Sequence, residues 1–267
     1  MGVPRRDYQW IERHPISTYL FGFAAGSFAA TASRADGVEL EYFGTALSPA
    51  DLQRAFADMP AMLHFFEARA GVRYRGHTYA LVLAAESVEQ EVDRFTELGE
   101  AYARRLLQDP TDEWLLAHEF AHQWWGNGVT CRTWNDFWLN EGLASFMADA
   151  WKEKRFGRAA YLREIELSRT RYERVREAGH DHPLVYESWD HPTASDRVIV
   201  YHKGAYVLSL LRDQLGDALF WKGLRAYTRA AMGGAVTTRD FQRAMEGATQ
   251  RNLSAFFARW VYGAHPN

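Results

Sequence analysis

Two histidines four positions apart, with a glutamate directly after the first, are the residues of this sequence best placed to do chemistry. They are His118, Glu119 and His122. Residues four apart lie on one face of a helix, so both imidazoles can reach a single metal ion. Glu119 lies one step round the helix and can reach a water molecule on that ion without being a ligand. The spacing therefore predicts a helical metal site with a general base beside it.

A third ligand is needed to complete such a site, and Glu141 is the candidate. It lies on a second predicted helix that begins near Asn135, in an otherwise apolar stretch where a carboxylate needs a partner. Two histidines and one glutamate, with a fourth position open, are a ligand set of catalytic zinc sites. We therefore expect one zinc ion per chain on His118, His122 and Glu141. The alternative is that the histidines are hydrogen-bonded core residues and Glu141 is a capped or salt-bridged acid.

The helix that carries the histidine pair is predicted to begin near Asp109, which can cap it, with Pro110 in the first turn. Acidic residues that follow suit the positive end of the helix dipole. Gly126 is predicted to end this helix.

The elements ahead of this helix are predicted to be mainly strands. A hairpin is expected from two β-type runs that flank the turn signal Asp36-Gly37, and a helix is expected from Ser48 to Gly71. The β-type runs are 19–31 and 38–43, and a third is 78–84. From Glu91 onward, helical periodicity predicts helices to the end of the chain.

This order, strands first and helices later, favours an α+β fold over alternating β-α-β units. We expect a single domain over residues 1–267, with a small sheet-containing lobe (1–109) followed by a mainly helical lobe (110–267). Its 267 residues, 47% of them hydrophobic, are enough to fill such a core.

Composition and charge exclude several classes of partner. The net charge is −3 and the basic residues are scattered, so we expect no nucleic-acid partner. The longest apolar stretches are broken by glycine and serine, so we expect no membrane segment. Cys131 is the single cysteine, which agrees with a reducing compartment and a cytoplasmic location. The sequence carries no signal of an oligomeric state.

Beyond the ligands, three longer segments resemble the aminopeptidase N family of gluzincin zinc peptidases. The run HEFAHQWWGN at 118–127 is similar to the family's zinc helix, and WNDFWLNEGLA at 134–144 is similar to its third-ligand helix. The run DRVIVYHKGA at 196–205 resembles the segment with the family's catalytic tyrosine, which implies this role for Tyr201. The resemblance covers nearly the whole chain. It implies a thermolysin-like catalytic domain that takes peptide substrates and releases N-terminal amino acids by a zinc-activated water.

One departure from the family concerns the loop that binds the α-amine of the substrate. The family has a Gly-x-Met-Glu-Asn loop upstream of the zinc helix, and the best counterpart here is 86–90, which lacks the glycine and the methionine. We expect Glu89 to bind the amine, with Glu86 and Glu91 as rivals.

Two other functions stay open at this point. One is a catalytically idle zinc domain that serves as a platform for protein interaction, and the other is an endopeptidase or another zinc hydrolase on the same fold. The presence of Glu119 and Tyr201 favours catalysis over the idle domain.

Overall fold

A five-stranded sheet forms the first part of the molecule, and helices dominate the rest. The computed structural model describes residues 9, 11–85, 89–187, 189 and 191–263. The strands are β1 (Ala29–Ala35), β2 (Val38–Gly44), β3 (Thr78–Ala84), β4 (Glu89–Val92) and β5 (Phe95–Gly99), in the spatial order β1-β2-β3-β5-β4. The two edge pairs are antiparallel hairpins, and β2, β3 and β5 run parallel. The predicted α+β class is confirmed.

Eleven α-helices are found within the described ranges. They are α1 (Pro49–Ala55), α2 (Met59–Ala70), α3 (Glu100–Gln108), α4 (Trp114–Ala121), α5 (Trp138–Phe156), α6 (Arg158–Glu177), α7 (Ala194–Val198), α8 (Gly204–Leu215), α9 (Asp217–Ala231), α10 (Thr238–Thr249) and α11 (Ser254–Trp260). Short 3-10 turns occur at Thr18–Leu20 and Trp134–Asp136, and a π-helical turn at Ile199–Lys203 joins α7 to α8. Two short strands, β6 (Thr130–Cys131) and β7 (Ala235–Val236), pair with each other.

The first hairpin and the first helix differ from their predictions. The strand expected over 19–31 begins only at Ala29, because glycines at 22 and 26 weaken the preceding stretch as a strand. The turn at Asp36-Gly37 is confirmed. The single helix expected from Ser48 to Gly71 is two helices, since Pro60 lies at the start of α2 and cannot continue the preceding helix.

The prediction of helices from Glu91 onward is wrong for residues 91–99. Residues Glu89–Val92 and Phe95–Gly99 are β4 and β5. Only Val92 is buried in β4, so the alternation that identifies a strand is hardly visible there. The turn between the strands places Arg94 at a φ of 67°, a conformation more often found at glycine or asparagine, so the turn had no sequence signal either.

Buried apolar residues from the sheet, from α2 and from the later helices form one continuous core. The sheet ends at Gly99, ten residues before the predicted lobe boundary. The assignment of a single domain with lobes 1–109 and 110–267 stays a prediction. Within the described ranges, every helix is too short or too polar to cross a membrane.

Candidate metal centre

The histidine pair is carried by α4, which is shorter than expected. The helix begins at Trp114, because Asp109 closes the preceding α3, its N–H donating to the Arg105 carbonyl at 2.7 Å. His122 follows the last residue of α4 and keeps right-handed helical dihedral angles. The four-residue spacing therefore still brings both imidazoles to one side. Gly126, expected to end the helix, lies beyond it in the following loop.

The three predicted ligands meet at one buried point, since α5 packs against α4 and presents Glu141 to the histidine pair. His118 Nε2 lies 3.1 Å from His122 Nε2. The Oε2 atom of Glu141 lies 3.4 Å from the first of these nitrogens and 3.5 Å from the second. Ligands bound at about 2.0–2.1 Å around a tetrahedral zinc ion lie about 3.3–3.4 Å from one another. The spacing therefore fits a single zinc ion.

The His122 ring is oriented by its second nitrogen. Nδ1 lies 3.0 Å from the Trp125 carbonyl oxygen, so it carries the proton and donates, which leaves the Nε2 lone pair for a metal. Gly126 makes room for this arrangement. A Cβ at that residue would lie 2.7 Å from His122 Nδ1, and its φ of 132° is strained for other residues.

The charges of the cluster favour a cation. Burial lowers the pKa of His118. Burial also acts to lower the pKa of His122, but the negative charge of Glu141 outweighs it and raises that pKa to about 10. Burial alone would raise the pKa of Glu141, yet His122 lowers it to about 2. The buried Glu141 carboxylate is thus stabilised by a positive charge beside it. Without a metal this charge is the proton on His122, and a bound zinc ion would supply it in place of that proton.

Glu119 lies beside the three ligands with a free carboxylate oxygen. It is buried, and its Oε2 has no hydrogen-bond partner among the described residues. Burial raises the pKa of Glu119 to about 8, and Glu91, Glu141 and Glu89 add to the rise against the opposing effect of His122. A carboxyl that titrates near neutral pH is suited to accept a proton and return it.

Tyr201 reaches the same cluster from the π-helical turn. Its ring stacks on His118, with centroids 5.6 Å apart and planes at 22°. The segment that carries Tyr201 packs closely against α5 because residues 142 and 204 are both glycines. A Cβ at Gly204 would lie 2.8 Å from the Gly142 Cα. Burial, followed by the charges of Glu141 and Glu91, raises the pKa of Tyr201. Its hydroxyl therefore stays protonated and can donate a hydrogen bond.

Two carboxylates of β4 face the cluster from the edge of the sheet. Glu89 and Glu91 lie on the same face of the strand, as residues two apart do. Glu89 is exposed, whereas Glu91 is half-buried. Burial raises the pKa of Glu91, and Glu141 raises it further while His122 opposes.

The edge strand is also held in place at this point. The Val92 carbonyl accepts hydrogen bonds from Gln123 Nε2 at 3.0 Å and Asn127 Nδ2 at 3.2 Å, both from the segment after α4. Glu91, one of the two rivals to Glu89 in the sequence analysis, is more buried than Glu89, and its charge has the larger effect on the pKa of Glu119. Glu86, the other rival, lies outside the described residues. A prediction of residues 89–92 as a strand would have shown from the sequence that Glu89 and Glu91 lie on one face.

Comparison with known proteins places this geometry in a family. Residues 60–260 match the peptidase family M1 domain. Aminopeptidase N of Lactococcus lactis subsp. lactis is 30% identical over 274 residues, which cover 92% of this chain and 31% of that protein. Aminopeptidase N of Escherichia coli K12 is 30% identical over 281 residues, covering 96% of this chain and 31% of the relative. The chain thus spans about a third of the length of these relatives. These matches confirm the resemblance found in the sequence.

Solved structures show the same fold. An M1 zinc metallopeptidase from Deinococcus radiodurans superposes with a TM-score of 0.75 at 23% identity, covering 96% of this chain and 56% of that one. A two-domain M1 zinc metallopeptidase variant bound to L-tryptophan gives a TM-score of 0.77, also at 23% identity, with the same coverage.

Proposed function

The chain belongs to peptidase family M1, and from this premise we propose that it is the catalytic domain of a zinc aminopeptidase. In this proposal His118, His122 and Glu141 hold one zinc ion, and a peptide is the substrate. The observation that carries it is the set of three buried ligand atoms 3.1–3.5 Å apart, with the Oε2 atom of Glu119 beside them and without a hydrogen-bond partner among the described residues. The relatives named aminopeptidase N support the same activity.

The chain's own side chains supply the proton transfers. A bound zinc ion lowers the pKa of water and polarises a carbonyl oxygen. Glu119 accepts a proton from the attacking water and then delivers it to the leaving nitrogen, a role that suits its buried carboxylate with one free oxygen among the described residues. The protonated Tyr201 hydroxyl donates to the carbonyl oxygen as negative charge develops there. Such a donor acts mainly on the transition state.

Recognition of the free amino terminus is assigned to β4. A peptide α-amine is cationic near neutral pH and gains a charge-assisted hydrogen bond from a partly desolvated carboxylate. Glu91 meets this requirement better than Glu89, because it is half-buried and its charge acts more strongly on Glu119. We assign the binding of the substrate's α-amine to Glu91 and place the exposed Glu89 at the solvent side of the site. A Deinococcus radiodurans relative is described with a bound Tyr-Ser-Ala peptide, which supports a free peptide as ligand.

The two other candidates predict different behaviour. An idle zinc platform does not need a glutamate beside the metal, as Glu119 is, or a tyrosine hydroxyl near it, and an endopeptidase does not need the Glu91 carboxylate. The expected cytoplasmic location is likewise a proposal, which fractionation of the producing cells tests.

A panel of fluorogenic aminoacyl amides, each with and without an N-acetyl group, separates these candidates when zinc is measured in the same protein by elemental analysis. An aminopeptidase contains zinc and prefers the free amine. Zinc without turnover of any substrate supports the platform, and equal turnover of free and acetylated substrates supports an endopeptidase.

A further inference from the structure

The side chain that precedes His118 by one helical turn stacks on its ring. Trp114 is the first residue of α4, and its ring lies 5.0 Å from that of His118 with an angle of only 16° between the planes. Residues four apart on a helix are neighbours on its surface, so the contact follows from the sequence spacing. The His118 ring therefore has stacked aromatic contacts with both Trp114 and Tyr201.

The indole of Trp114 is itself fixed by the helix that provides the third ligand. Its Nε1 donates a hydrogen bond to Asp149 Oδ1 at 2.7 Å. Asp149 lies on α5, about two turns after Glu141, and only 1% of its surface is exposed. The hydrogen bond between Trp114 and Asp149 thus links the side chain that stacks on His118 to α5, the helix that carries Glu141.

The two histidines differ in how they are oriented. Nδ1 of His122 has the Trp125 carbonyl at 3.0 Å, a normal hydrogen-bond length. Among the described residues, the polar contact of His118 Nδ1 is a long one, to Ser145 Oγ at 3.4 Å. A metal-binding histidine needs a partner that holds its ring, and stacking supplies it where the polar contact is weak.

We propose that Trp114 and Asp149 are positioning residues that hold the His118 ring in its metal-binding orientation through an indole clamped by a hydrogen bond. The inference rests on the proposed zinc site. It assigns no contact with substrate to either residue.

Asp149 acts in this arrangement as a hydrogen-bond acceptor for the indole. Burial raises the pKa of its carboxyl well above the ordinary value. Its second oxygen, Oδ2, has no hydrogen-bond partner among the described residues, so the carboxyl is only half satisfied. An asparagine side chain at this position would keep the shape and an acceptor oxygen. Asp149→Asn is therefore the conservative variant and Asp149→Leu the disruptive one.

The neighbouring Trp151 provides a matched control. Its Nε1 donates to Glu113 Oε2 at 2.8 Å, so it is a second indole–carboxyl hydrogen bond between α5 and the residue before α4. Its described aromatic contact is with Phe65, and it is not one of the rings in contact with His118 among the described residues. Trp151→Phe therefore loosens the same pair of helices without touching the His118 ring.

The test is the rate at which zinc leaves the holoprotein in the presence of an excess of a chromogenic chelator. Trp114→Phe and Asp149→Leu are expected to release zinc about tenfold faster than the wild type, as loss of a residue that orients a ligand does. Asp149→Asn and Trp151→Phe should release it at the wild-type rate. The double variant Trp114→Phe/Asp149→Leu should be no faster than either single variant, because both remove one interaction.

A spectroscopic readout separates positioning from general loosening. In the cobalt-substituted protein, the visible absorption bands should shift in Trp114→Phe and Asp149→Leu but not in Trp151→Phe, with the melting temperature of each metal-free variant measured alongside. Equal acceleration by Trp151→Phe, or unchanged zinc release in Asp149→Leu, overturns the proposal. A wild type that binds no zinc instead overturns the proposed function.

Discussion

Replacing Glu91 by glutamine removes one charge from the face of β4 that meets the metal centre, and it should abolish the preference for a free amino terminus. Glu91 is half-buried and influences both Glu119 and His122, so an ammonium group bound there is only partly screened by water. A hydrogen bond to a charged group is worth about 1.5–3 kcal/mol. At about 1.4 kcal/mol per factor of ten, kcat/KM for free-amine substrates should fall by roughly 10- to 100-fold.

The matched variant is Glu89→Gln, on the same strand face. Its side chain is exposed, so solvent screening should limit the loss to about threefold, the range of exposed ion pairs. The assay compares kcat/KM for an aminoacyl amide and its N-acetylated counterpart, with zinc content checked in each protein. Glu91→Gln should lower the first value and leave the second unchanged. If Glu89→Gln removes the preference and Glu91→Gln does not, the amine site is at Glu89 and the argument from burial is refuted.

The remaining predictions concern a base, a hydrogen-bond donor and a buried acid. Glu119→Gln should keep zinc and fold but lose at least about 100-fold in kcat, as a lost general base does; unchanged turnover would mean that another base operates. Tyr201→Phe should lower kcat by about 100-fold with little change in KM, and a defect in KM alone would argue against its role. Glu113 is buried against Trp151, and its pKa is raised from 4.5 to about 8, chiefly by burial. Between pH 4.5 and 8 the carboxyl of Glu113 ionises in the unfolded chain but stays protonated in the folded protein, so rising pH favours unfolding. The unfolding free energy of the wild type, measured relative to that of Glu113→Gln, should therefore fall over this range, by at most about 1.4 kcal/mol per pH unit. Parallel pH profiles in urea denaturation would contradict the assignment.

Helical geometry made the candidate ligands accessible to sequence reasoning. A spacing of four fixes His118 and His122 on one side of a helix, whether the helix begins at Asp109 as expected or at Trp114 as observed. Glu141 was identifiable because a carboxylate in an apolar helix needs a partner. These arguments depend only on local periodicity, and an error of several residues in a helix boundary does not disturb them.

The parts of the candidate site that residue spacing alone does not reveal depend on contacts between distant segments. Glu91 is recognisable only once 89–92 is known to be an edge strand, and that strand buries a single side chain. Tyr201 is brought to the centre by a π-helical turn and by the close approach of Gly142 and Gly204. Neither feature has a period of 2 or 3.6 residues, so the role of Tyr201 came from the family resemblance alone.

The zinc content of the protein and of single ligand variants tests the central claim most directly. Wild type and His64→Ala, which removes an exposed histidine on α2, should each retain about one equivalent of zinc after dialysis. His118→Ala, His122→Ala and Glu141→Ala should retain almost none while keeping the circular dichroism spectrum of the fold. A fully folded His122→Ala protein that keeps stoichiometric zinc would contradict the assignment of these three residues as the ligands.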